Sequence, residues 1–289
     1  MSAAAPAAGG GARTPAGTGG SGIGLAGARP GFARGASHVF EFRARVYRRV
    51  WRGSVFSTFL SPVLFLAAMG IGLGGFVDQG NAITSLGGVS YAAFLAPGLL
   101  AAQGMQTATA ESTWPIMGGF TWDRTFHGMF ATPVSVGGIV FGHLAWLVAR
   151  LTFVATAFFL VMLAFGYVAS PWGVLGIGAS VLTGLAFAAP VTAFSAGQKN
   201  DTAFSAINRF LITPLFLFSG TFFPIDQLPA ILRPIAWVTP TYHGVALARG
   251  LSLGTIDPIG FAVHASVLTV YIVFGTAWAL LAFRKALSK

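Results

Sequence analysis

TWDRTFHGMFATPVS, residues 121–135, is a short polar and aromatic island between two long, almost uncharged runs at 89–110 and 140–165. It carries Trp122, Asp123, Arg124 and His127 and closes on Thr132 and Pro133. About 20 consecutive apolar residues cross a hydrocarbon core of roughly 30 Å, so both flanking runs read as membrane-spanning helices. An aromatic, charged loop stopped by Thr-Pro between two spans is a candidate docking surface for another protein. What it docks depends on which side of the membrane it faces.

Composition makes the membrane assignment general. The 289 residues are 55% hydrophobic and 8% charged, against about 25% charged in soluble chains, and the mean hydropathy is +0.75. The net charge of +10 comes mostly from arginine. In a soluble protein such a balance would suggest nucleic acid. Beside membrane spans, basic residues instead set orientation, so no nucleic-acid partner is expected. There is no cysteine, which excludes disulfides and thiolate metal sites.

Outward from the island, the chain divides into three parts. Residues 1–37 are Gly, Ala, Pro, Ser and Thr with three arginines, a composition that cannot bury a core and predicts a disordered cytoplasmic tail. No apolar segment precedes residue 53, so a cleaved signal peptide is not expected. In 38–52, Val39, Phe42, Val46 and Val50 fall 3, 4 and 4 apart, on one helical face. Glu41, Arg45, Arg48, Arg49 and Arg52 lie mostly elsewhere, which predicts an interfacial amphipathic helix with arginines toward anionic membrane lipids. Residues 53–289 hold six apolar stretches, at 55–76, 89–110, 140–165, 172–194, 204–223 and 259–283. In the first, Pro62 predicts a kink, and Gly70 with Gly74 permits close approach of another helix. Between the fifth and sixth, residues 218–250 include Pro224, Pro240 and His243. That segment has too many prolines for one helix and is too apolar for an ordinary loop. Short helical pieces re-entering the outer leaflet solve both problems, provided that protein shields their backbone. The fold class is therefore an all-α integral membrane protein of six transmembrane helices, with an N-terminal interfacial helix and an outer re-entrant helical segment between helices five and six.

Counting Lys and Arg sets the topology. Fourteen of the seventeen fall on the side of the N-terminus, Arg233 and Arg249 fall opposite, and Arg150 lies in a span. Both termini and the island are then cytoplasmic in a multi-pass protein of a plasma membrane. Glu111 ends span two, and Arg150 lies about ten residues into span three; with a rise of about 1.5 Å per residue both sit near the inner boundary. An unpaired charge there costs a few kcal/mol. Pairing between the two would brace the loop; the alternative is that each reaches interfacial water by itself.

Chemistry-bearing patterns are sparse. His143, His243 and His264 are too scattered for a metal motif such as H-E-x-x-H. No G-x-S-x-G elbow occurs, and no carboxylate lies mid-membrane, which disfavours a proton-driven carrier. No G-x-x-x-x-G-K-[ST] loop occurs, so the chain binds no cofactor of its own, and an ATP-driven machine would need another subunit to bind ATP. A membrane-embedded enzyme would need clustered His, Asp or Glu, whereas the few acids are dispersed.

The segments YAAFLAPGLLAAQGMQTATAEST (91–113), WDRTFHGMFATPVSVGGIVFG (122–142), FLFSGTFFPIDQLP (216–229) and PTYHGVALARGLSLG (240–254) together resemble the ABC-2 type exporter permeases. The likeness is strongest to the NodJ-like lipooligosaccharide and daunorubicin-resistance branches and spans roughly 40–283, leaving out the tail. The resemblance implies a six-helix subunit of a bacterial inner membrane that pairs with a second permease copy and with ABC ATPase subunits. It implies an interfacial helix at 38–52, a coupling helix at 121–132 and outer re-entrant pieces at 224–251. In related exporters a Glu ending helix two faces an Arg in helix three, which matches Glu111 and Arg150. The implied function is efflux of a lipid-linked, lipooligosaccharide or hydrophobic drug-like cargo, including antibiotics, driven through Trp122, Asp123, Arg124, His127, Thr132 and Pro133. Spans one, two and five would line the path, with Phe210, Phe216, Phe218 and Phe222 suiting an amphipathic cargo, although phenylalanines facing lipid are ordinary. The alternative is a secondary carrier or channel not coupled to ATP, which would need midplane ion ligands or an internal repeat.

Overall fold

The structure, a computed structural model, describes residues 31–77 and 88–288. Every regular element among the described residues is helical. The expectations for the tail at 1–30 and for most of the loop after the first span lie outside them.

Helix α1 (Phe32–Tyr47) starts six residues before the amphipathic segment expected at 38–52 and ends five residues short of it, where residues 48–50 form a turn. The extra turns at its start are held by Phe32, whose ring meets Phe141 edge-on at 5.3 Å, and by Gly35, buried where Val134 and Gly138 approach. The apolar face expected of this helix is split. Val39 is buried, whereas Phe42, Val46 and Val50 stay exposed. The reason lies in the helix beneath, α7 (Val136–Ala164). Gly142 leaves a depression there, where an added Cβ would meet Ala36 O and Val39 Cβ at 2.6 Å. Farther along, Trp146 stands between the helices against Phe40 and Tyr47.

Helix α2 (Trp51–Leu66) runs on through a π-helical stretch (Ala67–Leu73) into the single turn α3 (Gly74–Val77). Pro62 sits buried inside α2, and the wide turns begin one helical turn beyond it. A Cβ on Gly70 would lie 2.8 Å from Tyr167 Oη and 3.3 Å from Ala92 Cβ, so this glycine does admit close neighbours. The other elements are α4 (Tyr91–Ser112), α5 (Trp114–Thr121), α6 (Thr125–Phe130) and α7 (Val136–Ala164). A 3-10 turn (Pro171–Leu175) leads into α8 (Gly176–Ser195). Then come α9 (Thr202–Ile207), a second π-helical stretch (Asn208–Ile212) and α10 (Thr213–Phe218). Last are α11 (Arg233–Val238), α12 (Pro240–Leu253) and α13 (Pro258–Leu287).

Four helical stretches, Trp51–Gly70, Val136–Ala164, Pro171–Ser195 and Pro258–Leu287, are long and apolar enough to cross a membrane. Thr202–Phe218 is apolar but shorter. Helix α4 has the length but carries Gln103, Gln106 and Glu111, and it compensates by being buried along most of its course. Helix α8 is the axis of the bundle and packs against α4, α7, α12 and α13. Between apolar helices in lipid, association rests on close packing and on interhelical hydrogen bonds, and both are visible here. Gly104 of α4 lies against the Ser180 backbone, where a Cβ would collide with the carbonyl oxygen, and Ser180 Oγ donates to Leu100 O at 2.7 Å. Gly244 of α12 leaves room for the Thr183 side chain of α8.

Candidate functional site

The island folds as an elbow. Helix α4 stops at Thr113, whose φ of −95° and ψ of −96° leave the helical region. Pro115 then starts α5 in the first turn, where a missing N–H costs nothing. Arg124 adopts φ +49°, the one positive value among the described non-glycine residues. A left-handed turn at a residue with a Cβ is costly, and here it reverses the chain between α5 and α6. Thr132 Oγ1 donates to Met129 O, and the Ser135 side chain accepts from Gly138 N at 3.1 Å to cap α7.

One side chain anchors the elbow. Phe126 is 1% exposed, with its ring 4.8 Å from Phe120 of α5 and 5.2 Å from Phe283 of α13, tilted against the first and edge-on to the second. Gly119 makes room for it, since a Cβ there would lie 2.5 Å from the ring. Met129 and Val134 pack on the same cluster, whereas the six residues that the sequence singled out lie on the outside. Trp122 is 65% exposed, and Asp123, Arg124, His127, Thr132 and Pro133 are exposed. Neither Asp123 nor Arg124 has an ion-pair partner among the described residues. Of the six, His127 sets its ring edge-on to Phe120 at 5.9 Å.

Directly behind the elbow, Arg150 Nε lies 3.5 Å from Glu111 Oε1. The same guanidinium donates to Tyr47 Oη at 3.0 Å and to Ser54 Oγ at 2.8 Å, and it lies 4.8 Å from the Tyr47 ring centroid. Tyr47 Oη in turn bonds Ser54 Oγ at 3.0 Å. One arginine of α7 therefore joins the end of α4, the end of α1 and the start of α2. Arg43 of α1 completes the group, with its guanidinium 5.8 Å from the Phe126 ring centroid. Burial lowers the Arg43 pKa from its usual value, and the charge of Glu111 opposes that shift. His143 is fully buried nearby, with neither ring nitrogen hydrogen-bonded. Sequence reasoning missed Tyr47, Ser54 and Arg43. The one signal available was that Arg43 departs from the outward arginine stripe of its helix.

At the opposite end, Pro224 precedes a 3-10 turn (Ile225–Gln227), and Pro240 opens α12. His243 Nε2 lies 2.8 Å from Trp237 O, and His243 Nδ1 lies 2.7 Å from His264 Nδ1. Facing a carbonyl, Nε2 must carry the proton, so Nδ1 of a neutral His243 accepts and His264 Nδ1 donates. The histidines that looked scattered in sequence thus include one bonded pair. No group of three or more potential metal ligands occurs among the described residues. Arg249, counted in sequence as an outer basic residue, is instead set into the bundle. It donates to Phe94 O, Gly220 O and Thr221 O at 2.9, 2.9 and 3.1 Å and covers the Phe94 ring at 3.6 Å. Of the phenylalanines considered for a cargo path, Phe210 and Phe218 are exposed, whereas Phe216 and Phe222 pack on each other at 5.1 Å.

Comparison with known proteins gives a consistent result. A family model described as ABC-2 type transporter matches residues 39–253. Nodulation protein J of Rhizobium leguminosarum bv. viciae is 33% identical over 230 residues, covering 78% of this chain and 85% of that protein. Nodulation protein J of Bradyrhizobium diazoefficiens is 28% identical over 264 residues, covering 91% and 98% respectively. The inner membrane transport permease YadH of Escherichia coli K12 is 24% identical over 238 residues, covering 81% and 90%.

Proposed function

The chain belongs to the ABC-2 type transporter family and is a multi-pass bacterial membrane transport subunit, and on that premise we propose that it is the permease of an ATP-driven exporter. In this reading α2 to α3, α4, α7, α8, α9 to α10 and α13 are six spans, and both termini are cytoplasmic. Helix α1 lies at the inner interface. The pieces from Pro224 to the end of α12 re-enter the outer leaflet. A second permease copy completes the path, and a separate ABC ATPase supplies the stroke. The cargo is an amphipathic or lipid-linked molecule, of which a lipooligosaccharide or a hydrophobic drug are examples.

The observation that carries this reading is the division of labour within the elbow. Phe126 is locked between Phe120 and Phe283, while Trp122, Asp123, Arg124 and His127 face outward without ion-pair partners. A loop with no partner has little reason to present a large aromatic such as Trp122 to its surroundings. An exposed aromatic beside an arginine is the composition of an interface anchor. A push on this elbow would pass through Phe126 to α13 and through the Glu111–Arg150 contact to α1, α2, α4 and α7. An ion-coupled carrier would need midplane ligands, for which nothing in the described bundle speaks.

Trp122→Ala combined with Arg124→Ala tests the proposal. The protein should insert and purify normally, while export falls at least tenfold and the ATPase subunit turns over without cargo. Normal export by that variant, or export by the chain alone without nucleotide, would reject it.

A further inference from the structure

Two cavities meet on the face between α8 and α13. The first, about 750 Å³, is lined by apolar side chains that include Phe187, Pro190, Leu211, Ile235 and Trp278, and no charged residue lines it. The second, about 570 Å³, is lined by Gln198, Lys199, Lys285 and His127 as well as apolar residues. No carboxylate lines either one. They share Phe194 and Trp278, so together they form one groove with an apolar length and a basic end. The apolar part is walled by α8, α13 and the π-helical stretch before α10, which belong to the span region, and by α11 of the segment between the last two spans. The basic part lies where α8 and α13 end, beside the elbow.

We propose that this groove binds one anionic phospholipid, its phosphate at Lys199 and Lys285 and an acyl chain along Phe194 and Trp278. Three features on the molecule select that occupant. An occupant of the whole groove must be amphipathic, because the two halves differ in chemistry. Its polar end must be negative, because two lysines stand there without an acidic neighbour in the lining. Its source is the bilayer, because the apolar half is formed mainly by helices of the span region, and basic side chains at a membrane boundary attract anionic lipid. With the orientation proposed above, the lipid comes from the inner leaflet. Its headgroup then lies against His127 of the elbow, so its presence bears on the surface proposed to receive the ATPase.

Trp278 is 42% exposed and reports occupancy. The full-length protein is placed in nanodiscs of phosphatidylcholine containing a minor fraction of either phosphatidylglycerol or phosphatidylcholine with brominated acyl chains. The Trp278 signal is taken as the difference between the unsubstituted protein and Trp278→Phe. Brominated phosphatidylglycerol should quench it at least about twofold more than brominated phosphatidylcholine. The double variant Lys199→Gln with Lys285→Gln should lose that preference, at roughly fivefold in relative affinity for each lysine removed. The variant Lys199→Arg with Lys285→Arg should keep it, which separates charge from misfolding. Inorganic phosphate in the millimolar range should leave quenching unchanged. Equal quenching by both lipids, a preference that survives loss of the lysines, or displacement by phosphate alone would each overturn the proposal. ATP turnover and export are not read in this assay, so its failure leaves the exporter reading standing, and failure of coupling in the elbow variant leaves the lipid site standing.

Discussion

Arg150→Met should be the most damaging single change in the charged group behind the elbow. The Arg150 side chain is 13% exposed and that of Glu111 is 29% exposed, so water screens the pair only in part. At their 3.5 Å separation and an effective dielectric near 20, the Coulomb attraction is about 5 kcal/mol. Removing both charges from water offsets much of that, which leaves a net coupling of about 1–2 kcal/mol. Arg150→Met also loses two hydrogen bonds from a charged donor to Tyr47 and Ser54. Those hydroxyls still bond each other at 3.0 Å, so neither is orphaned, and the added cost is about 1–2 kcal/mol. Arg150→Met should therefore cost roughly 3 kcal/mol, and Glu111→Gln, which leaves Arg150 its two hydroxyls, only about 1–2 kcal/mol. A double-mutant cycle of these two substitutions, read as unfolding in mixed detergent micelles by tryptophan fluorescence, measures the coupling. Additivity within about 0.5 kcal/mol would show that the two charges act independently and refute the reasoning. A larger loss for Glu111→Gln than for Arg150→Met would also refute it, because it would remove the arginine from the centre of the group.

Three other outcomes follow from the packing. Phe126→Ala should cost about 3–4 kcal/mol by emptying the slot between Phe120 and Phe283, and protease should then cut between residues 122 and 133 while the rest of the bundle resists. Gly244→Ala should destabilise by roughly 2–3 kcal/mol, since the new methyl meets the Thr183 hydroxyl across α12 and α8; a thermal midpoint unchanged from the unsubstituted protein would show that the contact yields freely. Burial holds the His243 imidazole below the usual histidine range, partly opposed by its bond to the Trp237 carbonyl. A histidine kept neutral in the fold stabilises above its unfolded pKa of about 6.5 and loses that contribution as pH falls toward the lower folded value. Thermal stability should thus decline below about pH 6.5, and His243→Gln should flatten the decline.

Four of the six expected spans recur as helical stretches long and apolar enough to cross a membrane, and they were legible because length and lack of charge are properties of a run, and a run is local. Glu111 and Arg150 were also placed at one depth by counting residues along two antiparallel helices, because the rise per residue is fixed. What sequence could not supply was the rest of that group. Tyr47 and Ser54 are an ordinary aromatic and an ordinary hydroxyl, and only the crossing of α1 and α2 over α7 turns them toward Arg150. The amphipathic pattern suggested one helix over 38–52, whereas α1 ends at Tyr47 and Trp51 and Arg52 open α2, and the pattern could not tell which apolar residues meet protein and which stay bare. That was decided by Gly142 and Trp146, a hundred residues away. His243 and His264 are separated by a helix end and a turn, so their contact has no periodic signature. The π-helical stretches at Ala67–Leu73 and Asn208–Ile212 were likewise invisible, since apolar residues there satisfy either winding.

Arg249 has a mechanical implication. Its guanidinium grips the Phe94 carbonyl in α4 and the Gly220 and Thr221 carbonyls just past the end of α10. The chain therefore has a rivet between α4 and the corner that follows α10. If α4 slides or tilts as a rod, the corner after α10 must travel with it or the Arg249 bond to the Phe94 carbonyl must break. Motion begun at one end of the rod would then arrive at the far corner with little slack.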